Sequence, residues 1–331
     1  MRALRQTSRN GPRDLHLVTD APAPHPGPGQ VLIRVTAAGV NFGDIQQSYG
    51  AFPGGPPPPY VAGFEAAGEI VATGEGVTGL RRGVHVTGAA IGGGAFAEYM
   101  LLPAVASVPV PAGWTDEQAL GLVVGWPTAL AALRPLGRIA AGETVLIHAA
   151  AGGTGQAAVR MAKHYGATVI AAASDGKYRA GKHETLRALG ADHILDADRP
   201  DLADEVRRLT GGAGADLVLE TNGGATFAAS LAAAKRVTGR VVVYGTAGGE
   251  AAISNTQLVY AHQIQLIGLN IGILSQAAPQ IFGELMGELF ALIAAGVLTP
   301  GRPTVYDLAD GPKALAEMAS RATIGKLALV P

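Results

Sequence analysis

Apolar and polar positions divide the chain into stretches of different period. Up to about residue 118, runs such as Gln30-Val-Leu-Ile-Arg-Val-Thr-Ala37 and Glu69-Ile-Val-Ala-Thr73 are separated by breaker clusters, among them Pro22-Ala-Pro-His-Pro-Gly-Pro28. β-Branched runs bounded by Pro and Gly predict the strands of a compact β-domain. The prolines of Phe52-Pro-Gly-Gly-Pro-Pro-Pro-Pro59 exclude a helix there and predict an extended arm. Thr115-Asp-Glu-Gln118 places an N-cap residue before acidic ones and predicts a helical run through Leu120, Val123 and Val124.

From there to about residue 270, Val-, Ile- and Ala-rich segments without polar alternation recur between amphipathic ones. They predict strands over 144–149, 168–173, 193–196, 216–220, 240–245 and 264–269, with helices at 155–165, 182–189, 201–209, 225–235 and 256–262. Uniformly apolar strands belong in a parallel sheet covered on both faces, so the expectation is an α/β doubly wound sheet of six strands. The tail predicts a helix over 279–295, a strand over 304–308, a helix over 311–321 and a final strand over 325–330.

One stretch anchors this order. Thr144-Val-Leu-Ile-His148-Ala-Ala-Ala-Gly152-Gly153-Thr154-Gly155 runs from a strand through a glycine turn into the apolar helix that follows. Such a turn aims backbone N–H groups and the positive helix end at one spot, which suits a pyrophosphate. Ala149, Gly152 and Gly155 keep an A-x-x-G-x-x-G spacing, with Ala in the place of the first glycine. Ala150, Gly152, Gly153, Thr154 and Gly155 are therefore the candidate phosphate cradle.

Composition narrows the chemistry. A length of 331 residues predicts two domains, and a net charge of −1 with scattered Lys and Arg offers no field for nucleic acid. Cysteine is absent, which excludes thiol nucleophiles, disulfides and thiolate metal sites. The eight histidines show no H-x-H or H-x-x-x-H spacing. The apolar stretch 119–133 is too short to span a bilayer, and the longer 251–282 is interrupted by Asn255, Gln257, His262, Gln263 and Gln265. Met1-Arg-Ala-Leu-Arg5-Gln lacks the apolar segment of a secretory leader, so a cytoplasmic protein is expected.

Several local strings, in order from end to end, resemble the medium-chain dehydrogenase/reductase superfamily, in its zinc-independent quinone oxidoreductase and enoyl reductase branch. They are Ala37-Ala-Gly-Val-Asn41-Phe-Gly-Asp44, Gly63-Phe-Glu65-Ala-Ala-Gly68, His148-Ala-Ala-Ala-Gly-Gly-Thr-Gly155, Leu189-Gly-Ala-Asp192, Gly239-Arg-Val-Val-Val243 and Ser320-Arg321-Ala-Thr323-Ile-Gly325-Lys. The resemblance implies a Rossmann dinucleotide-binding domain over 123–276 and a β-rich GroES-like catalytic domain over 1–122 and 277–331. The zinc branch carries His where this chain has Phe64, which agrees with the missing cysteines in implying metal-free chemistry.

An acid at the end of the second strand would bind the ribose 2′-OH of NAD. Here Ser174 stands there, 19 residues after Gly155, followed by Lys177, Arg179 and Lys182. An uncharged residue with cations nearby predicts NADPH, though Asp175 is one residue away, and either Lys177 or Lys182 is the candidate for the 2′-phosphate. A tyrosine that zinc-free relatives carry after the third strand falls at Ala197. By resemblance, Arg321 contacts a cofactor phosphate, while Tyr244 and Asn270 lie beyond strand ends that cradle the nicotinamide.

Without a metal, a conjugated C=C–C=O or a quinone is the acceptor that hydride from a nicotinamide reaches most readily, because hydrogen-bond donors alone can hold the resulting enolate. By resemblance, Asn41 holds substrate or nicotinamide and Thr128 touches the nicotinamide ribose or ring. Tyr49 is the candidate proton donor, with Tyr60 or solvent as alternatives, since Phe52 occupies the place of another family tyrosine. Asp44 reads as an anchor for backbone N–H groups, Glu65 as a brace, and His148 as a packed histidine. The expected function is an NADPH-dependent reductase of quinones or enones acting as a homodimer that joins through its sixth strand. Its variants are an enoyl thioester reductase of lipid or polyketide assembly and an NADPH-binding structural protein without turnover.

Overall fold

The computed structural model describes residues 1–174, 176 and 179–331. Two compact units partition the chain, Met1–Val124 with Pro300–Pro331, and Gly125–Thr299.

The first unit opens with β1 (Ala3–Gln6), β2 (Leu15–Val18) and β3 (Gln30–Val40), then helix α1 (Phe42–Ser48). It continues with β4 (Tyr60–Val61), β5 (Glu65–Thr73), β6 (His85–Ala89), β7 (Tyr99–Pro103) and β8 (Ser107–Pro109). Helix α1 is one of the elements that the hydrophobic pattern does not reveal. It forms because Asp44 Oδ2 accepts the Asn41 N–H at 2.7 Å while the Asp44 N–H donates to the Asn41 carbonyl at 3.0 Å, closing the first turn.

The second unit holds α2 (Gly125–Leu133), β9 (Thr144–Ile147), α3 (Gly153–His164), β10 (Thr168–Ala173), α4 (Arg179–Ala188) and β11 (His193–Asp196). It goes on through α5 (Leu202–Leu209), β12 (Leu217–Glu220), α6 (Gly224–Ala233), β13 (Arg240–Val243), β14 (Gln265–Gly268), α7 (Ile271–Ala277) and α8 (Pro279–Ala294). Its six strands are all parallel in the order β11-β10-β9-β12-β13-β14. This is the expected doubly wound Rossmann sheet. Its order reverses between β9 and β12, the switch point where such sheets bind ligands. Leu146, Val218, Val241, Phe227 and Leu231 form the buried layer beneath it.

The chain then returns to the first unit with β15 (Thr304–Asp307), α9 (Gly311–Ala319) and β16 (Leu327–Val330). β16 lies between β15 and β3 in a sheet of order β15-β16-β3-β5-β6-β8, with β7 also paired to β3. Val31, Ile33, Ile70, Phe96, Met100 and Leu329 fill the core of this GroES-like unit.

Two expectations differ from the structure. Thr115 and Gln118 make a reciprocal cap, with Thr115 N–H to Gln118 Oε1 at 3.0 Å and Gln118 N–H to Thr115 Oγ1 at 3.4 Å. Yet only a 3₁₀ turn over Glu117–Ala119 follows, because Leu120 is extended and Gly121 takes φ +100°. Helix α8 groups with the dinucleotide unit, not with the unit to which 277–299 was assigned, and its Leu285, Leu289 and Leu292 are buried. Among the described residues no helix is long and apolar enough to cross a membrane.

Candidate functional site

In the dinucleotide unit, β9 ends at Ile147 and the chain turns through Ala149, a non-glycine residue at φ +47°, before Gly152 caps α3. The Ala150 N–H pairs with the Ala172 carbonyl at 3.0 Å and the Gly152 N–H with the Ala149 carbonyl at 2.9 Å. Those two groups shape the turn. The N–H groups of Gly153, Thr154 and Gly155 lie in the first turn of α3, where a helix has no acceptor of its own, so the candidate anion donors narrow to these three. Gly155 is required for packing, since a Cβ there would lie 2.4 Å from the Ala149 oxygen and 2.6 Å from the Ala150 Cα. A Cβ at Gly152 would meet nothing closer than 3.3 Å, so there the lack of a side chain leaves room for a ligand. A Cβ at Gly125 would lie 2.8 Å from Thr154 Oγ1, so the start of α2 abuts the turn, and Thr128 is one helical turn along it.

At the end of β10, Lys182 from α4 donates to Ser174 Oγ at 2.7 Å and to the Ser174 carbonyl at 3.2 Å. Only 4% of Lys182 is exposed, so it is a built-in cation and not a solvated surface charge. Lys177 lies outside the described residues. Tyr244 follows β13 with its N–H on the Glu220 carbonyl at 2.9 Å, and burial together with the Glu220 charge pushes its phenol up. Asn270, exposed beyond β14, caps α7 by accepting the Ile273 N–H at 3.0 Å.

His148 is fully buried, as the packed-histidine reading requires, but it is not isolated. Its Nε2 lies 2.9 Å from Ser230 Oγ, which also makes a very short contact to Glu220 Oε2. The other Glu220 oxygen accepts the N–H groups of Asn222 at 2.6 Å and Gly223 at 2.9 Å. Because the hydroxyl proton goes to the carboxylate, Nε2 carries the imidazole hydrogen and Nδ1 keeps an unpartnered lone pair. Burial pushes the imidazole down against the raising effect of Glu220, so the ring is neutral. The network ties the end of β9 to the loop after β12 across the switch point.

In the other unit, Asn41, Glu65 and Lys326 converge. Lys326 Nζ donates to Asn41 Oδ1 at 2.7 Å and to Glu65 Oε2 at 2.5 Å, and Asn41 Nδ2 donates to Glu65 Oε2 at 2.9 Å. Glu65 Oε1 accepts the Gly121 N–H at 2.6 Å, the bracing role expected of it. Burial alone would raise this carboxyl, but the Lys326 charge and the hydrogen bonds from Lys326, Asn41 and Gly121 hold it below its ordinary value. Lys326 is not evident from the sequence, because its partners lie 285 and 261 positions away. The one local signal is Gly325-Lys326 just ahead of the last strand.

Asp44 is buried, and burial pushes it up to about 7 despite backbone hydrogen bonds from Asn41 and Phe64. Its Oδ1 is unpartnered, as is Oε1 of Gln47 one turn along α1. Tyr49 closes α1 with 55% of its surface exposed and its ring over Gly11, where a Cβ would fall 2.3 Å from Cζ. Among the described contacts none links it to the Asn41 cluster. Tyr60 is half-buried in β4, and burial and the Asp44 charge push its phenol up to about 12. Arg321 is exposed after α9 at φ +58°.

Comparison with known proteins places family models on both units. Residues 27–112 match the alcohol dehydrogenase GroES-like domain and residues 153–287 match the zinc-binding dehydrogenase domain. The mycocerosic acid synthase-like polyketide synthase of Mycobacterium tuberculosis is 34% identical over 92% of this chain, which spans 14% of that relative's length. The NADPH complex of mycobacterial Rv1454c superposes with a TM-score of 0.92 at 33% identity, covering 100% of both chains. The quinone oxidoreductase of Pseudomonas syringae pv. Tomato DC3000 does so at 0.91 and 31%, covering 100% of this chain and 99% of that one.

Proposed function

Because the chain belongs to the medium-chain dehydrogenase/reductase superfamily, in its quinone oxidoreductase branch, we propose that it is an NADPH-dependent reductase of quinones or α,β-unsaturated carbonyls. The observation that carries this reading is the buried Lys182 held on Ser174 at the end of β10, with the first turn of α3 at the end of the adjacent strand β9, beside the switch point. An NAD-specific fold places a carboxylate where Ser174 stands; an ammonium on a hydroxyl suits a 2′-phosphate.

In this reading the N–H groups of Gly153, Thr154 and Gly155 bind the pyrophosphate, and Ser174, Lys182 and Arg321 bind phosphate oxygens. Tyr244, Asn270 and Thr128 orient the nicotinamide end. NADPH, when bound, supplies hydride. Asn41 and its neighbours hold the acceptor, and the enolate takes its proton from Tyr49, Tyr60 or solvent. Absent cysteine and Phe64 in the zinc ligand's place support chemistry without a metal. The likeness to a polyketide synthase supports a second reading, an enoyl thioester as acceptor. We also propose a homodimer formed at the edge of β14, where Leu266 is exposed, as are Val259 and Tyr260 of the preceding π-turn over Gln257–His262.

Fluorescence titration with NADPH and NADH, and rates with 1,4-benzoquinone, a 2-alkenal and crotonyl-CoA, test this. Loss of a charged hydrogen bond in Lys182→Met is expected to weaken NADPH about 10- to 100-fold and leave NADH nearly unchanged. Equal effects on both nucleotides would remove the phosphate role. Tight NADPH with no turnover on any of the three acceptors would favour a binding protein.

A further inference from the structure

By resemblance Asn41 holds substrate or nicotinamide, but toward an acceptor oxygen its carboxamide has no N–H to offer. Both Nδ2 hydrogens are engaged, one on the Gly39 carbonyl at 3.1 Å and one on Glu65 Oε2 at 2.9 Å. A flip is ruled out because it would turn the NH₂ group onto the Lys326 ammonium, which now sits 2.7 Å from Oδ1. The donor capacity of the cluster therefore rests with Lys326. An ammonium has three hydrogens; two go to Asn41 Oδ1 and Glu65 Oε2, and the third has no acceptor among the described contacts. The Lys326 side chain is 14% exposed, whereas Glu65, which neutralises it, is fully buried. Of this ion pair only the Lys326 side chain keeps any exposure.

We propose that Lys326 is a catalytic residue whose remaining N–H donates to the carbonyl oxygen of the acceptor and stabilises the enolate formed there. The assignment rests on the reductase reading. Hydride, carrying two electrons, bonds to the β-carbon. The alkene pair moves to join the α-carbon and the carbonyl carbon, and the carbonyl π pair goes to oxygen. Tyr49, Tyr60 or water then gives a proton to the α-carbon, a water leaving as hydroxide and a tyrosine regaining its proton from solvent, and the carbonyl re-forms. Lys326 supplies a fixed charged donor where negative charge develops. Asn41 and Glu65 position it, with Gly121 holding Glu65 from behind. A Cβ at Gly39 would lie 2.9 Å from Lys326 Cε and 2.7 Å from Glu65 Oε2, so the bare backbone of Gly39 is what admits the pair.

The test compares a weak with a strong electrophile. With a 2-alkenal, Lys326→Met is expected to lose about 100- to 1,000-fold in kcat, the usual effect of deleting an oxyanion donor. With 1,4-benzoquinone, whose reduction is driven by aromatisation, the loss is expected to stay within about tenfold, and NADPH affinity within about threefold. Lys326→Arg should restore part of the alkenal rate. A purely structural Lys326 would lower both acceptors alike, and equal losses would overturn the proposal. Should Lys326→Met fail to fold with Glu65 left unpaired, Glu65→Gln combined with Lys326→Met removes both charges and is expected to show the same acceptor-dependent loss. If the wild type reduces neither of the two acceptors nor crotonyl-CoA, the reductase reading falls, and 4-nitrophenol binding judges Lys326 by itself. The wild type should draw the bound phenol into its phenolate form and the double variant should not; identical spectra would overturn the assignment.

Discussion

Ala149 sits at φ +47°, a geometry that a Cβ disfavours and glycine accepts. Ala149→Gly is expected to stabilise the dinucleotide unit by about 1 kcal/mol without weakening NADPH, as read by urea denaturation and nucleotide titration. Gly155→Ala runs the other way. Its Cβ meets backbone at 2.4 Å, so a loss of about 2 kcal/mol or more and of nucleotide binding is expected in the same assays. Both positions were legible from sequence because a turn is a local object, with its spacing written in consecutive residues. Lys326 and Ser230 were not, because what matters about them is a partner brought near by folding: Asn41 lies 285 positions from Lys326, and His148 lies 82 from Ser230. Ser230→Ala leaves a buried carboxylate and imidazole without their shared hydroxyl, and a loss of about 1–3 kcal/mol is expected in thermal or chemical unfolding.

Among elements, the six parallel strands were readable because each is an apolar run with its own breakers, and the structure moves their ends by no more than about two residues. The helix expected after Thr115 shows the limit of that logic. Its cap forms, but a cap only starts a helix, and Gly121 at φ +100° ends the run before packing can extend it. Helix α1 failed in the opposite sense: at seven residues it is too short for a period to stand out, and Asp44 closing back onto Asn41 is its whole signature. The edge strand β14 carries a prediction of its own. Leu266 is 38% exposed on a strand paired on one side only among the described residues, so on the homodimer proposal Leu266→Lys is expected to give a monomer by light scattering where the wild type gives a dimer, with NADPH binding intact.

Across the whole molecule, two buried groups tie the units to pH with opposite signs. Asp44 in the first unit has its value raised from 3.8 to about 7, so between these limits the native state holds a proton that the unfolded chain has released. That unit therefore loses up to about 1.4 kcal/mol per unit as pH rises from 4 to 7. His148 in the second unit is lowered from 6.5, so below that value the unfolded chain binds the proton first and stability falls as pH falls. Hydrogen exchange across pH 5 to 8, corrected for intrinsic rates, should show α1 loosening toward neutral pH and β12 loosening toward acid. Asp44→Asn is expected to flatten the first trend alone. The units also differ in how they are drawn from the chain. The dinucleotide unit is one continuous segment, whereas the other needs β16 between β15 and β3, and Lys326 precedes that strand by one residue. In the order of synthesis the nucleotide-binding segment is therefore complete while the other unit still lacks the strand between β15 and β3 and the ammonium beside Asn41. A released chain truncated after residue 299 should protect 125–299 from protease and leave 1–124 open to it.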